Sequence, residues 1–167
     1  MKAEEIIKLL DLRPLTDEGG YYRESYRSVE NIPSAALPQR YRAKRSFSTA
    51  IYYLLTPDNF SAMHKVESDE VFHFYLGDPV LQLCLHEDGR AEKTILGTDL
   101  EAGQRPQSIV SRGVWQGARL VEGGSFALLG TTVAPGFDFE DFCLGARSRL
   151  VKEYPDLEKL IVSLTDK

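Results

Sequence analysis

Apolar and polar residues change period twice along this chain. Ala3 to Leu12 places Ile6, Ile7 and Leu10 on one face of a short amphipathic helix, which must stop before Arg13-Pro14. After the Gly19-Gly20 turn, Tyr21–Arg27 has the aromatic content of a strand. Residues 31–45 carry Pro33 and Pro38 without periodicity and read as a long surface loop. Then period two takes over. Thr49–Leu55 is β-branched and aromatic and ends at Pro57-Asp58; Val71–Leu76 follows and turns at Gly77-Asp78-Pro79. Val80–Leu85 alternates, with Leu81, Leu83 and Leu85 on one face and Gln82, Cys84 and His86 on the other. Asp88-Gly89 is a hairpin signal leading to Glu92–Leu96, and Ser108–Val110, Ala118–Glu122 and Phe126–Thr132 complete the strands. Helical spacing returns at the end, where Leu157, Leu160, Ile161 and Leu164 form one stripe behind Pro155.

Short strands at this spacing predict an all-β sandwich or barrel with a short N-terminal helix and C-terminal helices, not a βαβ fold. No repeat or composition break divides residues 1–167, so one domain is expected.

Charge narrows the partners. A formal net charge of −5 argues against a nucleic-acid binder, which needs a clustered basic surface. The short run Arg40, Arg42, Lys44, Arg45 reads as a solvated loop before a strand. Asp138, Glu140 and Asp141 alternate with Phe137, Phe139 and Phe142, as a solvated acidic face over a packed aromatic one would. No apolar stretch approaches the roughly 20 residues that cross a bilayer. Lys2, Glu4, Glu5 and Lys8 interrupt the first apolar residues, so no export signal is read, and a cytoplasmic location is expected. The sequon Asn59-Phe60-Ser61 then carries little weight. Cys84 and Cys143 sit among apolar residues and match no paired spacing, so both are expected to be buried, inert thiols.

No nucleophile elbow, P-loop, dinucleotide fingerprint or zincin motif is present. The chemistry-bearing stretch runs from His64 to Gly77, with His64, Val66, Glu70 and Gly77 spaced 2, 4 and 7 residues apart. This resembles the first motif of the cupin superfamily, in which the position of Val66 holds a second histidine. The second cupin motif falls on Ser111-Arg112-Gly113-Val114-Trp115-Gln116, where only the glycine is kept and Gln116 occupies the last ligand position. Glu18-Gly19-Gly20-Tyr21-Tyr22-Arg23-Glu24, Thr49–Leu55, the run from His64 to Phe74 and Pro135-Gly136-Phe137-Asp138-Phe139-Glu140-Asp141-Phe142 resemble a branch of that superfamily labelled a domain of unknown function. The resemblance implies a jelly roll and a two-fold homodimer.

Cupins that bind a transition metal use imidazoles and a carboxylate projecting into the barrel. With Val66 and Gln116 in two of those positions, His64 and Glu70 are the strong donors left, and no tightly bound cofactor is expected. A weakly held divalent ion would use His64, Glu70 and Gln116. Strand alternation puts Glu70, Phe72 and Phe74 on one face and His73 on the other. The residues then suggest a pocket with Tyr53, Phe72, Phe74 and Trp115 as walls and Gln116, His64 and Glu70 as orienting groups. Tyr22 or Arg23 stands either at its mouth, gripping an anionic group, or in a dimer interface. Four functions remain open: a metal-free site for a small metabolite, an isomerase or epimerase of a sugar-like substrate with His64 as general base, a divalent-metal-dependent enzyme, and a structural dimer whose interior pairs His64 internally.

Overall fold

A computed structural model describes residues 1–166; Lys167, the last residue of the expected domain, lies outside them. Helix α1 (Ala3–Leu9) precedes strands β1 (Arg13–Pro14), β2 (Tyr21–Arg27), β3 (Asn31–Ile32) and β4 (Arg45–Ser46). The sandwich strands β5 (Thr49–Leu55), β6 (Ser61–Lys65), β7 (Asp69–Gly77), β8 (Val80–Leu85) and β9 (Ala91–Leu96) come next. Strands β10 (Gln107–Val110), β11 (Trp115–Leu120), β12 (Ala127–Ala134) and β13 (Cys143–Leu144) lead to helices α2 (Arg147–Glu153) and α3 (Glu158–Val162). One sheet has the order β1-β2-β5-β12-β7-β10, the other β13-β6-β11-β8-β9, and β3 pairs with β4 apart from both. Every strand pair within the two sheets is antiparallel, and the sheets face each other as a jelly-roll sandwich.

Alternation sorts the side chains into three apolar layers. Tyr53, Leu55, Phe72, Phe74, Cys84 and Leu129 pack between the sheets. The outward residues Leu54 and Leu128 are covered by Ile6 of α1 and by Leu12. On the opposite side Met63, Leu83, Leu85 and Trp115 lie under Leu150, Ile161 and Leu164. Each fully buried leucine or isoleucine of that layer contributes about 1.5–3 kcal/mol of transfer free energy. Both faces of β8 are therefore covered, which explains how a strand with polar residues on alternate positions has almost no exposed surface.

Several expectations are corrected. The C-terminal stripe begins in a 3-10 turn, Pro155–Leu157, rather than in regular helix. Strand β11 starts at Trp115, three residues before the expected Ala118, and ends short of Glu122. Strand β6, which carries His64, was not predicted. Its Ser-Ala-Met-His-Lys lacks β-branched residues, and nearly all of it is buried on both faces, so neither propensity nor alternation announces it. Cys143 is exposed; only Cys84 is the buried thiol expected.

The basic run is not simply a solvated loop. Arg45 is 2% exposed and bonds through Nε and Nη2 to the two carboxylate oxygens of Asp141 at 2.7 and 2.6 Å. Arg40 donates to the Glu67 carbonyl at 2.9 Å. The acidic face is likewise reordered: Asp141 is buried and Phe139 is 57% exposed. Residues Phe139–Asp141 form a 3-10 turn, so strand-like alternation of acidic and aromatic faces does not hold there, and Asp141 pairs with Arg45.

Candidate functional site

A cavity of about 390 Å³ opens at one end of the sandwich interior. Its walls come from β2, β5, β6, β7 and β12, and from the segments 15–18 and 137–142 that close over it. His64 sits in this wall, 2% exposed. Its Nδ1 lies 2.7 Å from the Ala62 carbonyl oxygen. A carbonyl only accepts, so Nδ1 carries the proton, and in the neutral ring Nε2 is left with its lone pair. That Nε2 has no hydrogen-bond partner among the described residues; the nearest carboxylate oxygen, Glu18 Oε2, is 4.0 Å away. Phe142 stacks on the imidazole, with centroids 5.2 Å apart and planes at 27°.

Glu18 was not among the residues expected here. It enters through the turn Glu18-Gly19-Gly20, whose carbonyl at Glu18 accepts from the Ala62 amide at 2.8 Å. Gly19 has φ +98°, and a Cβ there would run into the Phe60 carbonyl, so only glycine permits the close approach. Ser61 Oγ donates to Glu18 Oε1 at 2.6 Å, which fixes the carboxylate beside the imidazole. The Glu-Gly-Gly sequence was visible as a motif; its place at the cavity wall was not.

Glu70 projects from the start of β7 and is buried. Gln116 Nε2 donates to its Oε2 at 2.6 Å. Burial pushes the Glu70 carboxyl above its ordinary range; the His64 ring opposes this, and Glu18 adds to it. Tyr53 donates to the Gly19 carbonyl at 2.9 Å, and burial together with Glu18 holds its phenol well above its ordinary value.

The expected site residues divide. His64, Glu70 and Tyr22 line the cavity, and Gln116 holds Glu70 from behind. Tyr53, Phe72 and Phe74 are not walls but part of the packed layer between the sheets, which Leu15, Tyr22 and Ile51 join to the cavity. Trp115 points the other way. As the residue next to Gln116 on β11 it faces outward, buried under the C-terminal helices, with Lys65 and Arg149 over its ring. Arg23 is also outside the cavity and lies 5.6 Å above the Tyr52 ring. The arginine that does face the interior is Arg27. A register shift between Glu24 and Tyr26 moves the inward position from residue 26 to 27. Arg27 donates to Glu24 at 2.9 and 2.7 Å and to the Phe137 carbonyl at 3.0 Å. The bulge cannot be seen in the alternation of β2, so Arg27 was not expected at the cavity; Arg23 lies on the outer face because its neighbour Tyr22 faces in.

His73 stands outside the cavity, stacked on Tyr75 and 3.2 Å from Thr132 Oγ1. His86 is half-buried beside Glu92. The donor set does not fit a transition-metal centre. Val66 lines the cavity with hydrocarbon, Gln116 turns its amide nitrogen to Glu70, and a single imidazole remains. Among the described residues no three His, Cys, Asp or Glu side chains are grouped to hold an ion.

A jelly-roll sandwich with a histidine and a glutamate from successive strands turned toward one interior cavity is the architecture of a cupin. The chain belongs to the family described as Cupin superfamily (DUF985), whose profile matches residues 4–145. It is 31% identical over 132 residues to the uncharacterized protein YML079W of Saccharomyces cerevisiae, a match covering 74% of this chain and 66%, just under two thirds, of the yeast protein. The crystal structure of protein SO0799 from Shewanella oneidensis superposes with a TM-score of 0.88 at 32% identity, covering 99% of this chain and 98% of that one. A hypothetical protein from Leishmania major gives the same TM-score at 28% identity over the full length of both chains. No helix among the described residues is long and apolar enough to cross a membrane.

Proposed function

We propose that this cupin binds a small metabolite in the cavity beside His64, without a tightly held metal. The observation that carries the reading is the buried imidazole itself. Its proton is committed to the Ala62 carbonyl, and its Nε2 faces open volume with no partner among the described residues. A lone pair kept open at a cavity wall, on a ring whose other nitrogen is fixed by the backbone, is an acceptor available to a ligand. An apolar lining with a few convergent polar groups is also how small-molecule sites are built. An exposed free thiol at Cys143 suits a reducing compartment such as the cytosol.

A metabolite library screened by thermal shift tests the proposal, because a ligand raises the stability of the state it binds. At least one compound should stabilise the native protein, and the double variant His64→Ala, Glu70→Ala should lose that shift. Shifts that survive both substitutions would move the site elsewhere.

One observation favours a second reading, an isomerase or epimerase. The Nδ1–H contact that leaves Nε2 basic also orients it toward the cavity, as a general base requires. Turnover would exchange a ligand proton with deuterated solvent, and His64→Ala would abolish the exchange while a carrier would show none in either form.

A further inference from the structure

We infer that the ligand carries a protonated amine: the cavity is built for a small organic cation, and this rests on the proposal that it is a binding site at all. Charge comes first. Asp17, Glu18, Glu24, Glu70 and Asp138 line it against a single guanidinium, that of Arg27. Glu24 is paired with Arg27 and burial pushes Glu70 toward its neutral form, which leaves Asp17, Glu18 and Asp138 as carboxylates with no Lys or Arg among the described residues paired to them, in a chain of 25 acidic and 20 basic residues overall. Arg27 does not offset it for a ligand. Its Nε and Nη2 are engaged by Glu24, its Nη2 also by the Phe137 carbonyl, and its Nη1 is 3.5 Å from Ser46 Oγ. An anion entering the cavity would meet carboxylates and a guanidinium already paired.

The pattern of donors and acceptors points the same way independently of charge. The atoms left without partners at the inner end are acceptors: His64 Nε2, in the tautomer that Ala62 imposes, and Glu18 Oε2. They stand 4.0 Å apart, a spacing that one ammonium nitrogen spans while donating to both at about 2.9 Å. His64 is 2% exposed, so this is a built position and not a surface cluster.

The walls add to both. Phe142 lies against His64, Phe137 and Phe139 meet edge to face with centroids 5.2 Å apart, and Tyr22 faces them from β2. Aromatic faces attract a cation through their quadrupole and accept its alkyl groups equally well. A neutral polyol would satisfy the acceptors but would leave the excess carboxylate charge unanswered, and a phosphate or carboxylate ligand would oppose it.

The test uses the full chain near neutral pH at fixed ionic strength. Saturation-transfer NMR is recorded with n-butylammonium, n-butanol, butyrate and glucose as probes, and Kd is measured by titration. Butylammonium should receive magnetisation and butyrate none, with butanol at least about tenfold weaker than the amine. Glu18→Gln keeps an oxygen to accept from Ser61 but removes the charge, and should weaken butylammonium by about tenfold. Asp17→Asn, at the exposed mouth, should weaken it less and provides the comparison should Glu18→Gln fail to fold. Glu92→Gln, outside the cavity, should change nothing. Preference for butyrate or glucose would overturn the cation and leave the metabolite site standing. Amine binding unaffected by both cavity variants would overturn it as well, by placing the amine elsewhere. Transfer to no probe at all would end the cation proposal, while the library screen would still decide separately whether the cavity binds anything.

Discussion

The two ends of the sandwich interior are made by the same strands and behave as opposites. Along β5, Thr49 and Ile51 line the cavity, whereas Tyr53 and Leu55 are packed solid. Along β7, Glu70 faces the cavity and Phe72 and Phe74 fill the space beyond it; along β12, Val133 and Thr131 give way to Leu129 and Ala127. Pleat and inward direction are unchanged from one end to the other. What changes is side-chain volume and polarity at successive inward positions. On these three strands the hollow arises where large rings stop and where the groups left behind are held by bonds to the wall, as Glu70 is by Gln116; the β2 bulge and the Gly19 turn then bring in Arg27 and Glu18. The filled end supplies packed apolar volume and the hollow end gathers the polar groups.

The sharpest way to break this contrast is a matched pair of truncations. Phe72→Ala, at the packed end, should destabilise by about 3–5 kcal/mol in urea unfolding. Ile51→Ala, already beside open volume, should cost about 1–2 kcal/mol, because little new cavity surface is created. Equal losses would mean that the hollow end is packed as tightly as the other. Arg45→Ala comes next. It leaves Asp141 buried without its partner beside the segment that roofs the cavity, and should cost about 3 kcal/mol by the same measurement. It should also weaken any ligand that touches Phe137 or Phe142.

Glu70→Gln should act in the other direction, and its size should depend on pH. Burial holds the folded carboxyl above its ordinary pKa, so the folded state retains this proton more tightly than the unfolded chain. The associated stability is complete below the unfolded pKa and is lost as pH rises through the folded one. Glutamine does not ionise and escapes that loss. Thermal melts should therefore show the variant gaining on the wild type as pH rises above the ordinary carboxylate range, with no gain at the acid end. A constant offset at every pH would assign the effect to packing instead. The smallest effect separates the two thiols. The Cys84 thiol, pushed up to about 12 by burial, should resist alkylation in the native protein, while the exposed Cys143 reacts; mass spectrometry should find the second label only in denaturant.

Much of this architecture was legible in advance. Strands Tyr21–Arg27, Thr49–Leu55 and Val80–Leu85 fall at the expected residues, because each carries β-branched or aromatic residues between turn formers. The inward placement of Glu70, Phe72 and Phe74 together, with His73 turned away, also follows from alternation alone. The site was legible only at its centre. His64 and Glu70 come together as their spacing suggested, but Trp115 and Arg23 fall on outer faces, and Glu18 and Arg27 take part without having been expected. Each miss has a local cause. Strand β11 begins earlier than its turn-like Gln-Gly suggests, a bulge in β2 brings Arg27 to the cavity, and a two-glycine turn carries Glu18 across to β6.

By itself the sequence determined the strand periodicity, the flanking helices and the presence of Val66 and Gln116 where an imidazole would otherwise stand, because these depend on residue identity and on spacing within one strand. Only the tertiary structure decided which charges meet. Arg45 reaches Asp141 across 96 positions and Glu18 reaches Ser61 across 43. Separations of that kind are closed by sheet packing rather than by any local preference, and they convert a chain of ordinary acidic composition into one with its carboxylates gathered around a buried imidazole.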